Sequence, residues 1–568
     1  MNSLQFADYT VFVLYFIIVA SYGYWIYQRK KKTTTDTKDF FLAEGSLTWW
    51  AIGASLIASN ISAEQFIGMS GEGFFVGMAV AAYEWLAAIA LVIIAVWLIP
   101  VYLKNKIYTM PQFLTRRYND TVALIMAIFW LFLYVFVNLT SILYLGSVAI
   151  NGLVGGDSLH IIMIGLALFA LVITLGGMKV IGYTDVIQVA VLIIGGLATT
   201  YLALSIVSDR FGIGTGALSG FKILMEKAPE HFHMILPKPN AQSSQLEIDK
   251  YLVLPGIAMY FAGQWIVNLN YWGCNQYITQ RALGANLETA RKGLLFAAFL
   301  KLFMPVVVML PGIAAFVLYK NGHLSQLSGG SKDGAYSAIL SFLPVGLKGL
   351  SIAALTAAIV ASLAGKVNSI STIYVLDIHK KYFNKEADEK KMVVLGRVTV
   401  VLAMLIAIIF TWSDVLGIGG EGGFTFIQKY TGFISPGVFA MFILGMFWKR
   451  TTGAAAIAGV ITGFVLSVVF NIYAPEWFGH ETWLYTSYPT TETIGGVAHK
   501  VWRIPFLLCM GFSFFFTVAL MVAMSLSGPK INPKAFELDK SMFKLSPAVL
   551  TLIITILLIL SLIYLRFW

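Results

Sequence analysis

Residues 47–85 read LTWWAIGASLIASNISAEQFIGMSGEGFFVGMAVAAYEW. The stretch is an apolar membrane segment that keeps being interrupted. Ser55, Ser59, Asn60, Ser62, Glu64 and Gln65 stand where lipid-facing residues are expected, Gly71 and Gly73 turn the chain, and Tyr83, Glu84 and Trp85 lie inside the next apolar run. A charged side chain at membrane depth costs roughly 2.5–3.5 kcal/mol on insertion scales, so such groups face a cavity or one another. A helix broken there frees backbone carbonyls, which are tolerated where they line a site and can hold a cation. The stretch therefore predicts a solute site beside an ion site. The competing reading is a polar seam between packed helices.

The rest of the chain supports a membrane setting. Of 568 residues, 58% are hydrophobic and 12% charged, against roughly 25% charged in soluble proteins. The net charge of +11 sits in short loops between apolar runs. That distribution orients a membrane protein and argues against a nucleic-acid-binding face. Cys274 and Cys509 both fall in apolar runs and offer neither a disulfide framework nor a zinc spacing. Residues 1–8 carry no Lys or Arg, and the basic cluster follows the first apolar run, so this run reads as a span rather than a cleavable signal.

About fourteen apolar runs of roughly 20 residues are candidate membrane helices. They lie near 9–28, 47–69, 76–103, 122–152, 159–178, 184–207, 251–276, 293–319, 349–380, 393–411, 422–447, 453–473, 502–526 and 546–566. Alternate loops are basic, beginning with Arg29, Lys30, Lys31, Lys32 and Lys38. This excess marks the cytoplasmic side and places both termini outside. The outer loops near 208–250, 320–348 and 474–501 are expected to form short surface helices or caps. The second and seventh runs are both interrupted by polar residues, five runs apart. That spacing suggests two five-helix halves in opposite orientation, at 47–207 and 251–450. The leading helix and basic loop, 1–46, the outer loop, 208–250, and three peripheral C-terminal helices, 451–568, complete the expected organisation.

The seventh run contains GQWIVNLNYWGCNQY. Asn268, Tyr271, Trp272 and Asn275 recur at helical spacing, with Gln264, Asn270 and Gln276 nearby. Amides offer donors and acceptors to hydroxyls, and ring faces cover sugar C–H surface, so the cluster suits a neutral polyol. An aromatic interfacial belt is the alternative. Lys301 in FAAFLKLFMP needs a partner, and Glu84 reads as the only comparably deep carboxylate of the first half. The two form either a solute-contacting pair or a structural one, unless Lys301 snorkels to a surface. Asp185 in GYTDVIQ either holds a departing cation or caps its helix. Ala358, Ala361 and Ser362 share a face of a small-residue helix that could give an all-oxygen Na⁺ site or simply pack tightly. No His/Cys metal spacing, phosphate loop or catalytic Ser–His context points to an enzyme.

The strings ASLIASNISAEQFIGMSGEG, AAYEW, YTDVIQ, NLNYWGCNQY, QRAL, FAAFLK, FIQKYTGFISPG and LGMFWKR resemble the sodium/solute symporter family, and within it the sodium/glucose branch. The resemblance runs from about residue 5 to about residue 450. It implies a leucine-transporter-type 5+5 inverted repeat and Na⁺-coupled import of a glucose- or galactose-type sugar across the cell membrane. The implied sugar site is Asn60, Gln65, Glu84, Asn268, Lys301 and Gln428. Tyr271 is the implied inner gate, with Trp272 beside it and Met69, Tyr83 and Phe424 as outer closure. Na⁺ would be held by the carbonyls of Ala58, Ile61 and Ala358 and the Ser362 hydroxyl, with Asp185 on its exit path.

The sequence also departs from that pattern. Ala87 replaces a serine of the galactose-type site, Ala361-Ser362 replaces a Ser-Ser pair, Ala455 replaces a glycine, and Lys366 stands where an apolar residue is expected. Lys366 is one turn from Ser362. Its ammonium either reaches a cytoplasmic vestibule or competes with or replaces Na⁺. Two other readings therefore remain: a same-family symporter for an inositol, nucleoside or sialic acid, and a sodium-independent uniporter or sensor.

Overall fold

The computed structural model describes residues 4–30, 47–62, 64–154, 158–324, 327, 332–413, 423–494 and 497–568. The basic loop expected around Lys31, Lys32 and Lys38 lies outside the described residues. In chain order the main helices begin with α1 (Phe6–Lys30), α2 (Trp49–Asn60), α3 (Ser70–Phe75), α4 (Met78–Lys104) and α5 (Asp120–Val154). Then come α6 (Leu159–Thr174), α7 (Met178–Arg210), α8 (Gly263–Cys274), α9 (Gln276–Leu283), α10 (Leu287–Lys320) and α11 (Leu347–Phe383). The last six are α12 (Glu389–Thr411), α13 (Gly423–Gly432), α14 (Ser435–Phe447), α15 (Gly453–Phe478), α16 (Phe506–Leu526) and α17 (Pro547–Phe567).

The expected count of about fourteen membrane helices is overturned. Among the described residues, 10 helices are long and apolar enough to cross a membrane, or up to 11 if one bent pair counts as a span. That pair is Gln245–Phe261 with α8, meeting at 81°. The runs at 47–69 and 422–447 are each cut into shorter helices, and the run at 159–178 holds a helix of 16 residues. A hydropathy window sums apolar side chains whether or not one continuous helix carries them. The regions expected as loops hold short helices at Ala217–Lys227, Gln245–Val253, Ala335–Ser341 and Ala474–Phe478, and the last of them adds an antiparallel strand pair, β1 (Tyr488–Ile494) on β2 (Val497–Arg503).

The break that ends α2 has a local cause. Thr48 starts the helix by accepting from Ala51 N at 3.4 Å. At the other end Ile61 turns to extended geometry, φ −80° and ψ 112°. The Ser62 N–H would continue the helix by donating to the Ala58 carbonyl. It donates instead to the Gln65 side chain at 3.0 Å, which leaves Ala58 without that helical donor. The chain resumes as a wide turn over Glu64–Met69 and then α3.

Helix α11 is the centre of the bundle: 94% of its most apolar stretch is buried, against 17% for α1 and 22% for α17. It packs on α7, α6, α1 and α2, while α10 packs on α2 and α4. Lipid is as apolar as leucine, so close van der Waals fit and internal hydrogen bonds hold such helices together. Small residues permit that fit. A Cβ on Gly195 of α7 would come within 2.8 Å of Ala354 Cβ on α11. Buried Arg291 ties α10 to α4 and to the chain before α17, donating to the carbonyls of Ala95 (3.1 Å), Lys544 (2.8 Å) and Met542 (2.9 Å).

Candidate functional site

A cavity opens beside the end of α2, lined by residues of α4, α5, α8, α10, α11 and α13. Its space, counting the open mouth and the crevices between side chains, is about 710 Å³. At its centre is Lys301 from α10. The ammonium donates to Glu84 Oε2 of α4 at 2.5 Å and to Asn60 Oδ1 at the end of α2. It also lies 5.2 Å from the Trp272 ring centre. The Asn60 amide serves both neighbours, because its Nδ2 donates to Tyr271 OH at 3.0 Å. Glu84 and Lys301 are both buried. Close contact and additional acceptors are what make such a pair tolerable away from water.

All six residues expected at the sugar site line this one cavity: Asn60, Gln65, Glu84, Asn268, Lys301 and Gln428. Gln65 turns its amide oxygen to Ser62, and Asn268 donates to the Gln264 carbonyl at 2.9 Å. Tyr83, Tyr271, Trp272 and Phe424 line it too. Tyr83 and Phe424 meet edge to face, centroids 5.1 Å apart, so two bulky rings close over one side. Met69 is fully buried and is not among the lining residues. Ala87 lines the wall, where a serine would have offered a hydroxyl.

Ala58, Ile61, Ala358 and Ser362 are buried outside the cavity lining. The Ser362 hydroxyl reaches the broken end of α2 and donates to the Ser59 carbonyl at 3.1 Å. The neighbouring Ser59 hydroxyl is buried without a hydrogen-bond partner among the described residues. Asp185 is not a helix cap, since α7 begins at Met178 after Gly177. Its carboxylate is fully buried, accepting from the Ser55 hydroxyl at 2.5 Å with the Arg281 guanidinium at 3.8 Å.

Glu84 is not the only deep carboxylate of the first half, as Glu64, Glu72 and Asp185 are buried as well. Glu64 and Lys366 both line the cavity, 3.8 Å apart. Lys366 therefore faces the cavity, with its ammonium 5.1 Å from the Tyr277 ring centre. The signal for this pair was present in the sequence. Two opposite charges in apolar runs need partners, but nothing local said that the two runs meet. Tyr134, Asn138, Tyr277 and Thr431 also line the wall. As isolated polar residues on apolar helices they carried no such signal.

Chemically, the lining combines amide and hydroxyl groups that donate and accept, exposed ring faces, and two carboxylates (Glu64, Glu84) balanced by two ammoniums (Lys301, Lys366). These features define a polytopic membrane protein with a buried, charge-balanced cavity for one small polar molecule. The Sodium:solute symporter family matches residues 40–463. A sodium/glucose cotransporter of Vibrio parahaemolyticus is 41% identical, over 100% of this chain and 99% of its own length. A sodium/myo-inositol cotransporter 2 of Mus musculus is 33% identical, over 82% of this chain and 70% of its own. The chain belongs to the sodium:solute symporter family, a family of transporters rather than enzymes. The fold is shared with a solved Na⁺-coupled sialic acid symporter in a substrate-bound, outward-open state, at TM-score 0.75 and 19% identity, covering 93% of this chain and 99% of that one.

Proposed function

We propose that this sodium-coupled symporter imports a neutral monosaccharide of the glucose or galactose type by alternating access across the cell membrane. The observation that carries the reading is the Glu84–Lys301–Asn60–Tyr271 chain of contacts at the cavity centre. It presents charged and neutral hydrogen-bonding groups beside ring faces, and the cavity's formal charges cancel. A neutral polyhydroxylated ring meets those needs without adding an unpaired charge. The similarity to a sodium/glucose cotransporter supports the same solute class.

In this reading the sugar contacts Asn60, Gln65, Glu84, Asn268, Lys301 and Gln428. Tyr271 with Trp272 closes the inner side, and Tyr83 with Phe424 the outer. Na⁺ is transported cargo, bound by the carbonyls of Ala58, Ile61 and Ala358 and the Ser362 hydroxyl, with Asp185 on its way out. The freed Ala58 carbonyl, the Ser362 hydroxyl at the end of α2 and the unpartnered Ser59 hydroxyl favour an oxygen-only cation site at this seam. Both termini face outward. Cargo binding that ties α11 to α2 favours the form in which they touch, so Na⁺ and sugar raise each other's affinity by one factor.

A cyclic polyol such as an inositol is the second reading. It is favoured by Ala87 in the wall and by the myo-inositol relative. Uptake of labelled glucose, galactose and myo-inositol into proteoliposomes, under an inward Na⁺ or an equal K⁺ gradient, tests both. Accumulation of a hexose above equilibrium in Na⁺ alone is expected. Equal uptake in the two salts refutes the coupling, and preference for myo-inositol selects the second reading.

A further inference from the structure

We propose that Glu64 and Lys366 form a second solute-contacting pair that reads one hydroxyl of the transported molecule, and that they act as specificity-determining residues. The inference rests on the reading that the solute occupies this cavity. The cavity holds two carboxylate–ammonium pairs in different states. Lys301 is saturated, with Glu84 at 2.5 Å, the Asn60 oxygen and the Trp272 face around it. Glu64 and Lys366 stand 3.8 Å apart, beyond hydrogen-bond length. Glu64 Oε1 is buried and has no hydrogen-bond partner among the described residues. Lys366 also lies over the Tyr277 ring face, its ammonium 5.1 Å from the ring centre.

A buried ionised group with an unmade hydrogen bond carries a desolvation cost that a correctly placed ligand group removes. A hydroxyl suits this gap, because it donates to the carboxylate while accepting from the ammonium. An oxygen about 2.8 Å from each partner fits between atoms 3.8 Å apart. An anionic solute group would be set against Glu64, and a cation against Lys366, so the pair selects a neutral hydroxyl. Glu64 opens the turn after α2, and Lys366 lies one turn beyond Ser362 on α11. The pair therefore spans the seam that the Ser362–Ser59 contact also crosses. An action on the cation is the competing outcome.

The test is Na⁺-driven uptake of glucose, galactose and each of their monodeoxy derivatives by the full chain in proteoliposomes. It compares the wild type with Lys366→Met and Glu64→Gln. In the wild type, loss of one particular hydroxyl is expected to raise the half-saturating concentration about ten- to a hundred-fold. In either variant the parent sugar weakens by a similar factor, and that one derivative weakens no further. Half-saturation by Na⁺ at saturating sugar stays within about two-fold.

Unchanged deoxy penalties in the variants overturn the inference. So does a shift in Na⁺ half-saturation with sugar selectivity intact, which makes Lys366 a cation-side group. The two substitutions enter from different helices, so a folding failure in one leaves the other. A wild type that discriminates no deoxy derivative by more than about three-fold overturns the inference without either variant. Absence of Na⁺-driven uptake of every hydroxylated solute removes the transport reading together with the pair's role. Uptake with unchanged selectivity removes the pair's role alone.

Discussion

Replacing Glu84 by Gln probes the centre of the cavity. In the wild type both charged side chains are almost sealed from solvent, 5% exposed for Glu84 and 1% for Lys301. Glutamine keeps the volume and one carbonyl acceptor but leaves the ammonium uncompensated. Removing one partner of a buried ion pair costs about 3–5 kcal/mol. The Asn60 oxygen and the Trp272 face remain to Lys301 and recover part of this, so the expected loss is about 2–3 kcal/mol. Lys301→Met strands the carboxylate that accepts from Lys301, and is expected to cost about 4 kcal/mol. The double variant removes both charges, so it should be more stable than Lys301→Met alone, with a coupling of about 2 kcal/mol or more. The assay is the melting midpoint of the four purified proteins in one detergent, followed by tryptophan fluorescence. Additive penalties, or a Glu84→Gln protein within about 0.5 kcal/mol of wild type, would refute the pairing and the cavity built on it.

Three further outcomes are expected. A Cβ on Gly68 would meet the Phe424 backbone nitrogen at 2.9 Å, so Gly68→Ala should push α13 outward, cost about 1–3 kcal/mol and slow uptake by shifting Phe424 in the cavity wall; unchanged uptake and melting refute that contact. Ser362→Ala should raise the Na⁺ concentration for half-maximal uptake about ten-fold while preserving the maximal rate at saturating Na⁺; an unchanged Na⁺ curve removes Ser362 from the ion site. His231 lies on a short turn between helices, buried and stacked on Phe316 at 3.9 Å. Burial, and secondarily the nearby Lys250 charge, lower its pKa from 6.5 to about 4, against the opposing pull of its bond to Phe74 O and of Glu230. The unfolded chain therefore binds the extra proton between these values. His231 stability is full above pH 6.5 and falls as the pH drops toward about 4. A melting midpoint that declines across this window in the wild type but less in His231→Gln is expected, and parallel curves would refute it.

The polar content of the quoted stretch and the string NLNYWGCNQY pointed to a cavity or partner at membrane depth, while the individual sugar contacts, Lys301 and Gln428 among them, came from the family resemblance. The break after Asn60 was legible for the same reason, and Gln65 turned out to be the side chain that takes the Ser62 N–H from the helix. The number of membrane helices was not legible. Apolar composition is additive along the chain, whereas helix continuity depends on single backbone hydrogen bonds of the kind Gln65 diverts. The pairing of Glu64 with Lys366 was likewise decided only by tertiary structure. The two residues are hundreds of positions apart, and each alone says only that it needs a partner. The packing of α11 against the broken end of α2 brings them to the same wall. Met69, expected at the outer closure, is buried in the turn over Glu64–Met69 and is not among the residues lining the cavity. Residue chemistry thus determined that a polar site exists and which side chains are candidates for it. The register and crossing of the helices determined which of them face the same space.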